Sequence, residues 1–353
     1  MLSKDNFTRD HIEDLRKVNG NDPALLERTI YAFGLLEAIR RAGMPFIFKG
    51  GTALLLLLDK PMRLSTDIDI IVEPGVDVDS YIREAGKIFP FLDSEEDIRI
   101  GRNKIEKRHY KFLYKSPLTG RSFNILLDVL FEENPYSTVV ERPIRNSLLL
   151  TEGQDLTVSL PGINCILGDK LTAFAPHTTG IPFGAGKELE VIKQMYDCWT
   201  LFQGMDDFKE VGKVYQNVVA KELAYRALDL QPEDVLSDTI RSCLCLMGRG
   251  SIGKDEYPLY ADGIDRIQGH VFSGVFNGEN AGIHACSILY IVASMLSGQK
   301  FCNRIEKAEE YQDVALKVKN AKRITYIKRI DLVAYAYLIE AYNMLGDEYF
   351  ILK

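Results

Sequence analysis

The chain has 353 residues, of which 46% are apolar, 26% charged and 10% aromatic. This is an ordinary globular composition, too apolar for a disordered chain and longer than one small core needs, so two domains are expected. With 43 Lys and Arg against 50 Asp and Glu the net charge is −7. That excludes wholesale electrostatic capture of nucleic acid or anionic membrane, though not a local basic patch.

The opening MLSKDNFTRD holds no apolar core, so no signal peptide is expected. Apolar runs such as Ala53 to Leu58 fall far short of the ~20 residues that span a bilayer, and no membrane association is expected. Six cysteines without a Cys-x-x-Cys pair read as reduced thiols of a cytoplasmic protein, and Cys243-x-Cys245 does not have the spacing of a zinc site.

From Asp22-Pro23 the residues Leu25, Leu26, Ile30, Phe33, Leu36 and Ile39 recur at three- and four-residue intervals. They predict an amphipathic helix that Gly43 ends. Phe46-Ile47-Phe48 reads as a strand. After Gly50-Gly51, the run Thr52 to Leu58 reads as a helix, with Thr52 placed to cap it. Asp67 to Val72 alternates acid and aliphatic, as a half-buried strand does, and Pro74-Gly75 stops it. Tyr110–Tyr114 and Phe123–Phe131 are further strands. From about Asp207 helical periodicity takes over, as in Val211 to Leu228 and Asp331 to Met344. The domain boundary is therefore expected near residue 205, giving 1–205 and 206–353, with no internal repeat.

The chemistry concentrates in Lys49-Gly50-Gly51-Thr52 and Arg63-Leu64-Ser65-Thr66-Asp67-Ile68-Asp69. Two glycines between strand and helix let backbone approach a ligand, and a helix N-terminus favours phosphate. Residues i and i+2 of a strand share a face, so Asp67 and Asp69 stand side by side. Such carboxylates repel unless a cation lies between them, and Mg²⁺ commonly takes one or two carboxylates plus substrate phosphates. A phosphate seat beside a metal seat suggests phosphoryl or nucleotidyl transfer. Taken singly, a Gly-Gly turn and an Asp-x-Asp strand are ordinary; the weight lies in their conjunction.

The string KGGTALLLLLDKPMRLSTDIDIIV resembles the first motif of DNA polymerase β-type nucleotidyltransferases, and more narrowly the AbiEii/AbiGii-type toxin branch. The resemblance covers roughly residues 25 to 202. It implies a mixed-sheet α/β (α+β) nucleotidyltransferase domain joined to a mostly helical C-terminal domain, with the active site in the cleft between them. A third acid is required on a neighbouring strand, and Asp128 within Asn124 to Leu130 meets that requirement. Leu167 to Phe174 resembles the family helix whose lysine, here Lys170, meets the triphosphate. Ile192 to Asp197 resembles its Lys-Asp-x-Tyr-Asp helix, with Gln194 in place of an acid. Lys193 and Asp197 read equally as nucleotide contacts or as an i,i+4 surface pair.

By the same resemblance, an acceptor hydroxyl attacks the α-phosphate of an NTP with two Mg²⁺ ions held by Asp67, Asp69 and Asp128. Gly50, Gly51 and Thr52 cradle phosphate, and Arg63 and Ser65 line the loop above it. The biological setting implied is a type IV toxin–antitoxin or phage-defence pair with an antitoxin partner. RNA, tRNA included, is the acceptor first expected. The alternatives are nucleotidylation of a protein or small molecule, or a nucleotide-binding module without turnover.

Gly248 to Asp255 imitates a phosphate loop, but Asp255 stands where Ser or Thr is needed and a helical pattern precedes it, so it reads as an ordinary loop. Residues 99–121 carry eight basic residues (Arg99, Arg102, Lys104, Lys107, Arg108, Lys111, Lys115, Arg121) against Glu106, interleaved with Tyr110, Phe112 and Tyr114. This composition suits RNA contact and a solvated sheet face equally. A second basic cluster, Lys317, Lys319, Lys322, Arg323, Lys328 and Arg329, reads first as solvated surface. Of the five histidines only His109 and His177 lie near the motifs, and neither has a metal-like partner spacing.

Overall fold

Pro23 at the first helical position and Asp22, whose carboxylate accepts the N–H groups of Ala24 and Leu25, start the helix the periodicity predicts. It runs Pro23–Arg41 in the computed structural model, which describes residues 1–98, 106–184, 186–272 and 274–350. The chain divides into two units, Met1–Gly162 with Gly269–Gly274, and Ile163–Gln268 with Val275–Lys353.

The first unit contains α1 (Arg9–Asn19), α2 (Pro23–Arg41), β1 (Ile47–Lys49), α3 (Gly50–Leu57), β2 (Ile68–Val72), α4 (Asp79–Ala85), β3 (Asp93–Glu96), β4 (Lys107–Lys115), β5 (Ser122–Phe131), β6 (Val139–Pro143) and β7 (Thr157–Pro161). Five strands form one mixed sheet in the order β1-β2-β5-β4-β3, in which β2 and β5 are parallel and the other pairs antiparallel. β6 and β7 form a separate antiparallel pair.

Alternation decides what each face of the sheet does. Phe48, Ile68, Ile70, Tyr110, Phe112, Tyr114, Ile125, Leu127 and Val129 are all buried. Their common parity builds one apolar face, and α2 packs against β2 and β5. α2 is buried nearly all round, because α1 and α4 also pack on it; it is a core helix rather than the one-sided helix the sequence predicts. Its Glu27 is buried but matched, accepting from Tyr114 Oη at 3.0 Å and Ser116 Oγ at 2.8 Å. The opposite parity places Lys49, Asp69, Asp128 and His109 in one cross-strand row.

The second unit is helical: α5 (Ile163–Ala173), α6 (Glu188–Gly204), α7 (Phe208–Arg226), α8 (Pro232–Gly248), α9 (Tyr257–Ile267), α10 (Gly278–Leu296), α11 (Ile327–Ile330) and α12 (Leu332–Leu345). α10 is long and apolar enough to cross a membrane by length and composition, yet most of it is buried and it packs on α6, α8 and α12. The expected boundary near residue 205 is replaced by one at Gly162/Ile163. α5 packs on α6 and α7, so residues 163–204 share their core with the helices that follow. All six cysteines are buried thiols outside any disulfide.

Candidate active site

The Gly-Gly turn is shaped by what presses against it. Gly50 has φ +79°, a left-handed conformation, and a Cβ there would collide with the Asp69 carboxylate. A Cβ on Gly51 would lie 2.7 Å from Arg63 Nη2 and 2.9 Å from Ser65 Oγ. The two glycines thus gather Asp69, Arg63 and Ser65 around one turn. Gly50→Ala should cost about 1–3 kcal/mol through the left-handed backbone and should displace Asp69. Thermal unfolding and nucleotide transfer measured on the same preparation check this, and a variant equal to wild type in both would refute the geometry.

Thr52 does not cap α3; it lies inside the first turn, fully buried, and its hydroxyl donates to the Asp67 carbonyl at 2.5 Å. What it gives the site is the position of Asp67 at the entry to β2. Arg63 is also buried and donates to the Leu64 carbonyl at 3.0 Å. Its loop is held by a distant segment of the same unit: Leu64 N–H donates to His270 O at 2.7 Å, and Phe272 N–H to Met62 O at 3.1 Å. Asn21 Nδ2 donates to Val271 O at 2.9 Å and fixes that segment in turn.

Asp69 stands directly opposite Asp128 across the parallel β2–β5 pair. The side chains of Asp67 and Asp128 are 46% and 39% exposed, so a solute can reach them. Two further residues lie beside the acids: His109, which the sequence placed near the motifs without a role, and Arg28, which it did not single out. His109 Nδ1 is 2.7 Å from Asp128 Oδ1, and Arg28 Nη2 on α2 is 3.9 Å from Asp67 Oδ1. Among the described residues no group of three or more His, Cys, Asp or Glu side chains is gathered closely enough to hold a metal ion by itself. Facing carboxylates on a sheet are mutually repulsive, and such a pair suits a divalent ion whose other ligands are substrate phosphates and water.

Lys170, Lys193 and Asp197 belong to the second unit. Lys170 Nζ on α5 donates to Gln194 Oε1 at 2.8 Å and lies 3.1 Å from Asp197 Oδ2 on α6. Asp197 therefore meets Lys170, while Lys193 meets Glu190 at 2.9 Å. Lys193 is 9% and Asp197 1% exposed, so these two are buried residues rather than members of a solvated surface pair. Gln194, the departure from the family pattern, orients the lysine.

The phosphate-loop imitation is an ordinary connection between α8 and α9, as predicted, and Ile252 occupies the space beside Gly248. Glu256, just past it, meets His177 Nε2, while His177 Nδ1 lies 2.6 Å from Asp238 Oδ1 and its backbone N–H donates to Asp238 Oδ2 at 2.8 Å. The Asp238 and Glu256 hydrogen bonds push the His177 pKa up to about 9. A folded pKa above the ordinary ~6.5 gives stability that is complete below about pH 6.5 and is lost as pH rises through about 9. The stability difference between wild type and His177→Gln should shrink over that window by roughly 1–2 kcal/mol, allowing for partial solvent exposure. A difference independent of pH from 6 to 10 would refute the clamp.

On β4 two of the four basic residues, Arg108 and Lys111, are neutralised. Arg108 meets Glu96 at 2.8 Å and Asp79 at 2.7 Å, and Lys111 meets Asp97 at 2.8 Å. These pairs favour the sheet-face reading for that stretch; Arg99, Arg102 and Lys104 lie outside the described residues.

A mixed sheet with a Gly-Gly turn pressed against an Asp-x-Asp strand, and a third aspartate on the neighbouring strand, has the design of a nucleotidyltransferase. The family described as "Nucleotidyl transferase AbiEii toxin, Type IV TA system" matches residues 35–243, and the chain belongs to it. The fold is similar to the crystal structure of JHP933 from Helicobacter pylori, at 14% identity and TM-score 0.42 over 77% of this chain and 94% of that one. It is also similar to an antigenic nucleotidyltransferase-like protein from Paracoccidioides brasiliensis, at 20% identity and TM-score 0.36 over 57% and 93% of the two chains. No curated protein matches the chain. The family makes the protein a nucleotidyltransferase of a type IV toxin–antitoxin system.

Proposed function

We propose that the protein moves a nucleoside monophosphate from an NTP to an acceptor hydroxyl of RNA, tRNA included, in a Mg²⁺-dependent reaction. The observation that carries this reading is the register pairing of Asp69 with Asp128 beside the Gly50-Gly51 turn. Asp67, Asp69 and Asp128 would hold the ions, which when bound neutralise the triphosphate and lower the barrier to attack at the α-phosphate. The acceptor oxygen bonds to the α-phosphorus, the bond to the β-phosphate oxygen breaks, pyrophosphate leaves, and Asp128 receives the hydroxyl proton. Arg63 and Ser65, held against Gly51, line the turn on the nucleotide side.

RNA is favoured as acceptor by exposed lysines that no acid neutralises. Arg108 and Lys111 are matched with acids, whereas Lys107 and Lys115 on β4 and Lys317, Lys319 and Lys322 are exposed and meet no carboxylate among the described residues. Unmatched lysines are what a phosphate backbone neutralises, with release of counterions. Incubation with each α-³²P-labelled NTP, Mg²⁺, total cell RNA and total protein tests the proposal. Label on RNA is the expected result. Label on protein or a small molecule would replace the acceptor, and no label with any NTP would overturn turnover itself.

A further inference from the structure

We propose that His109 is a positioning residue that sets the orientation of Asp128, an assignment that rests on the transferase reading above. β4 and β5 pair so that His109 and Asp128 are directly opposite, and the His109 ring reaches across to Asp128 Oδ1 at 2.7 Å. The carboxylate only accepts, so Nδ1 carries the proton in this bond and the tautomer of the ring is fixed. Among the described residues His109 is the one side chain that holds Asp128.

The geometry also shows which partner is the anchor. The His109 side chain is 17% exposed against 39% for Asp128, so the ring is the more enclosed of the two. Its strand is secured on the far side, where Asp97 N–H donates to the His109 carbonyl at 2.7 Å and Lys111 reaches Asp97. A rigid donor on one oxygen removes a rotameric choice from Asp128 and leaves Oδ2 for the ion or the acceptor hydroxyl. Asp69 faces Asp128 from the opposite side, and a free carboxylate there would rotate away from that like charge. His109 holds it in place. The arrangement parallels partners that orient ligating groups elsewhere, whose loss typically lowers metal affinity or activity about 10–100-fold.

His109→Asn and His109→Gln separate this role from plain packing. Asn places an amide N–H where Nδ1 was, whereas Gln keeps bulk and polarity but carries its donor one bond further out. We expect Gln to lower kcat about 10–100-fold with the NTP KM unchanged, and Asn to recover most of that loss. Mn²⁺ titration without NTP, followed by electron paramagnetic resonance, should show weaker binding for Gln and near-normal binding for Asn. In an Asp128→Asn background, His109→Gln should change Mn²⁺ binding no further, because the group it positions is already gone. Equal kcat and equal Mn²⁺ affinity for wild type, Asn and Gln would overturn the proposal, as would Asn failing as badly as Gln. A fully active Asp128→Asn protein would instead sink the transferase reading, so the two failures are distinguishable.

Discussion

Asp69→Asn should abolish nucleotide transfer, by about 10³-fold or more, while leaving the protein folded. Asn matches Asp in size, so neither the packing against Gly50 nor the β2 register needs to change. The charge is what differs. Asp69 faces Asp128 on one side and Lys49 on the other. Removing it relieves one like-charge pairing and weakens one opposite-charge pairing, each worth roughly 0.2–1 kcal/mol. These effects oppose each other, and the melting temperature should move by only a few degrees. The loss in rate comes from a different source, since the ions lose one of the three carboxylates that would hold them. Transfer of labelled nucleotide and thermal unfolding of the same sample provide the check. A rate within tenfold of wild type would remove the carboxylate pair from the chemistry.

The strands that carry this site are legible in the sequence because burial on one face forces alternation. Ile68, Ile70 and Val72 point to α2, which leaves the acids on the other face, and Ile125, Leu127 and Val129 do the same for Asp128. β3 is not legible: Asp93–Glu96 has no apolar rhythm, since as an edge strand its side chains need bury nothing and its form comes from pairing with β4. His109 lies one residue before the predicted strand Tyr110–Tyr114, inside the longer β4, and its role depends on register with a residue nineteen positions away. No local signal reports that register. The segment 269–274 that braces the Arg63 loop is harder still, because it follows more than a hundred residues of helical unit. Burial patterns inform on faces; they do not say which strand lies beside which.

The second large effect falls on stability, and the sequence alone predicts its absence. Lys170 lies at the edge of an apolar helical face, so Lys170→Met would be harmless to the fold if the ammonium lay in water. In the structure it does not. The Lys170 and Asp197 side chains are 11% and 2% exposed, with Nζ 3.1 Å from the carboxylate. Methionine fills the volume but removes the ammonium that faces a buried carboxylate, and breaking such a pair from one side costs about 3–5 kcal/mol. For a unit of this size that lowers the melting temperature by roughly 10 °C. Asp197→Asn in the same chain should restore most of it, because no uncompensated charge is then left beside the methionine. The double variant then isolates the chemistry, since it is folded and still lacks the ammonium. If Lys170 meets the triphosphate, as the family resemblance implies, the double variant transfers nucleotide about 10–100-fold more slowly than wild type. If it transfers at the normal rate, Lys170 is an ion-pair partner of the helical unit alone, and Arg63 beside Gly51 is the cation for the phosphate.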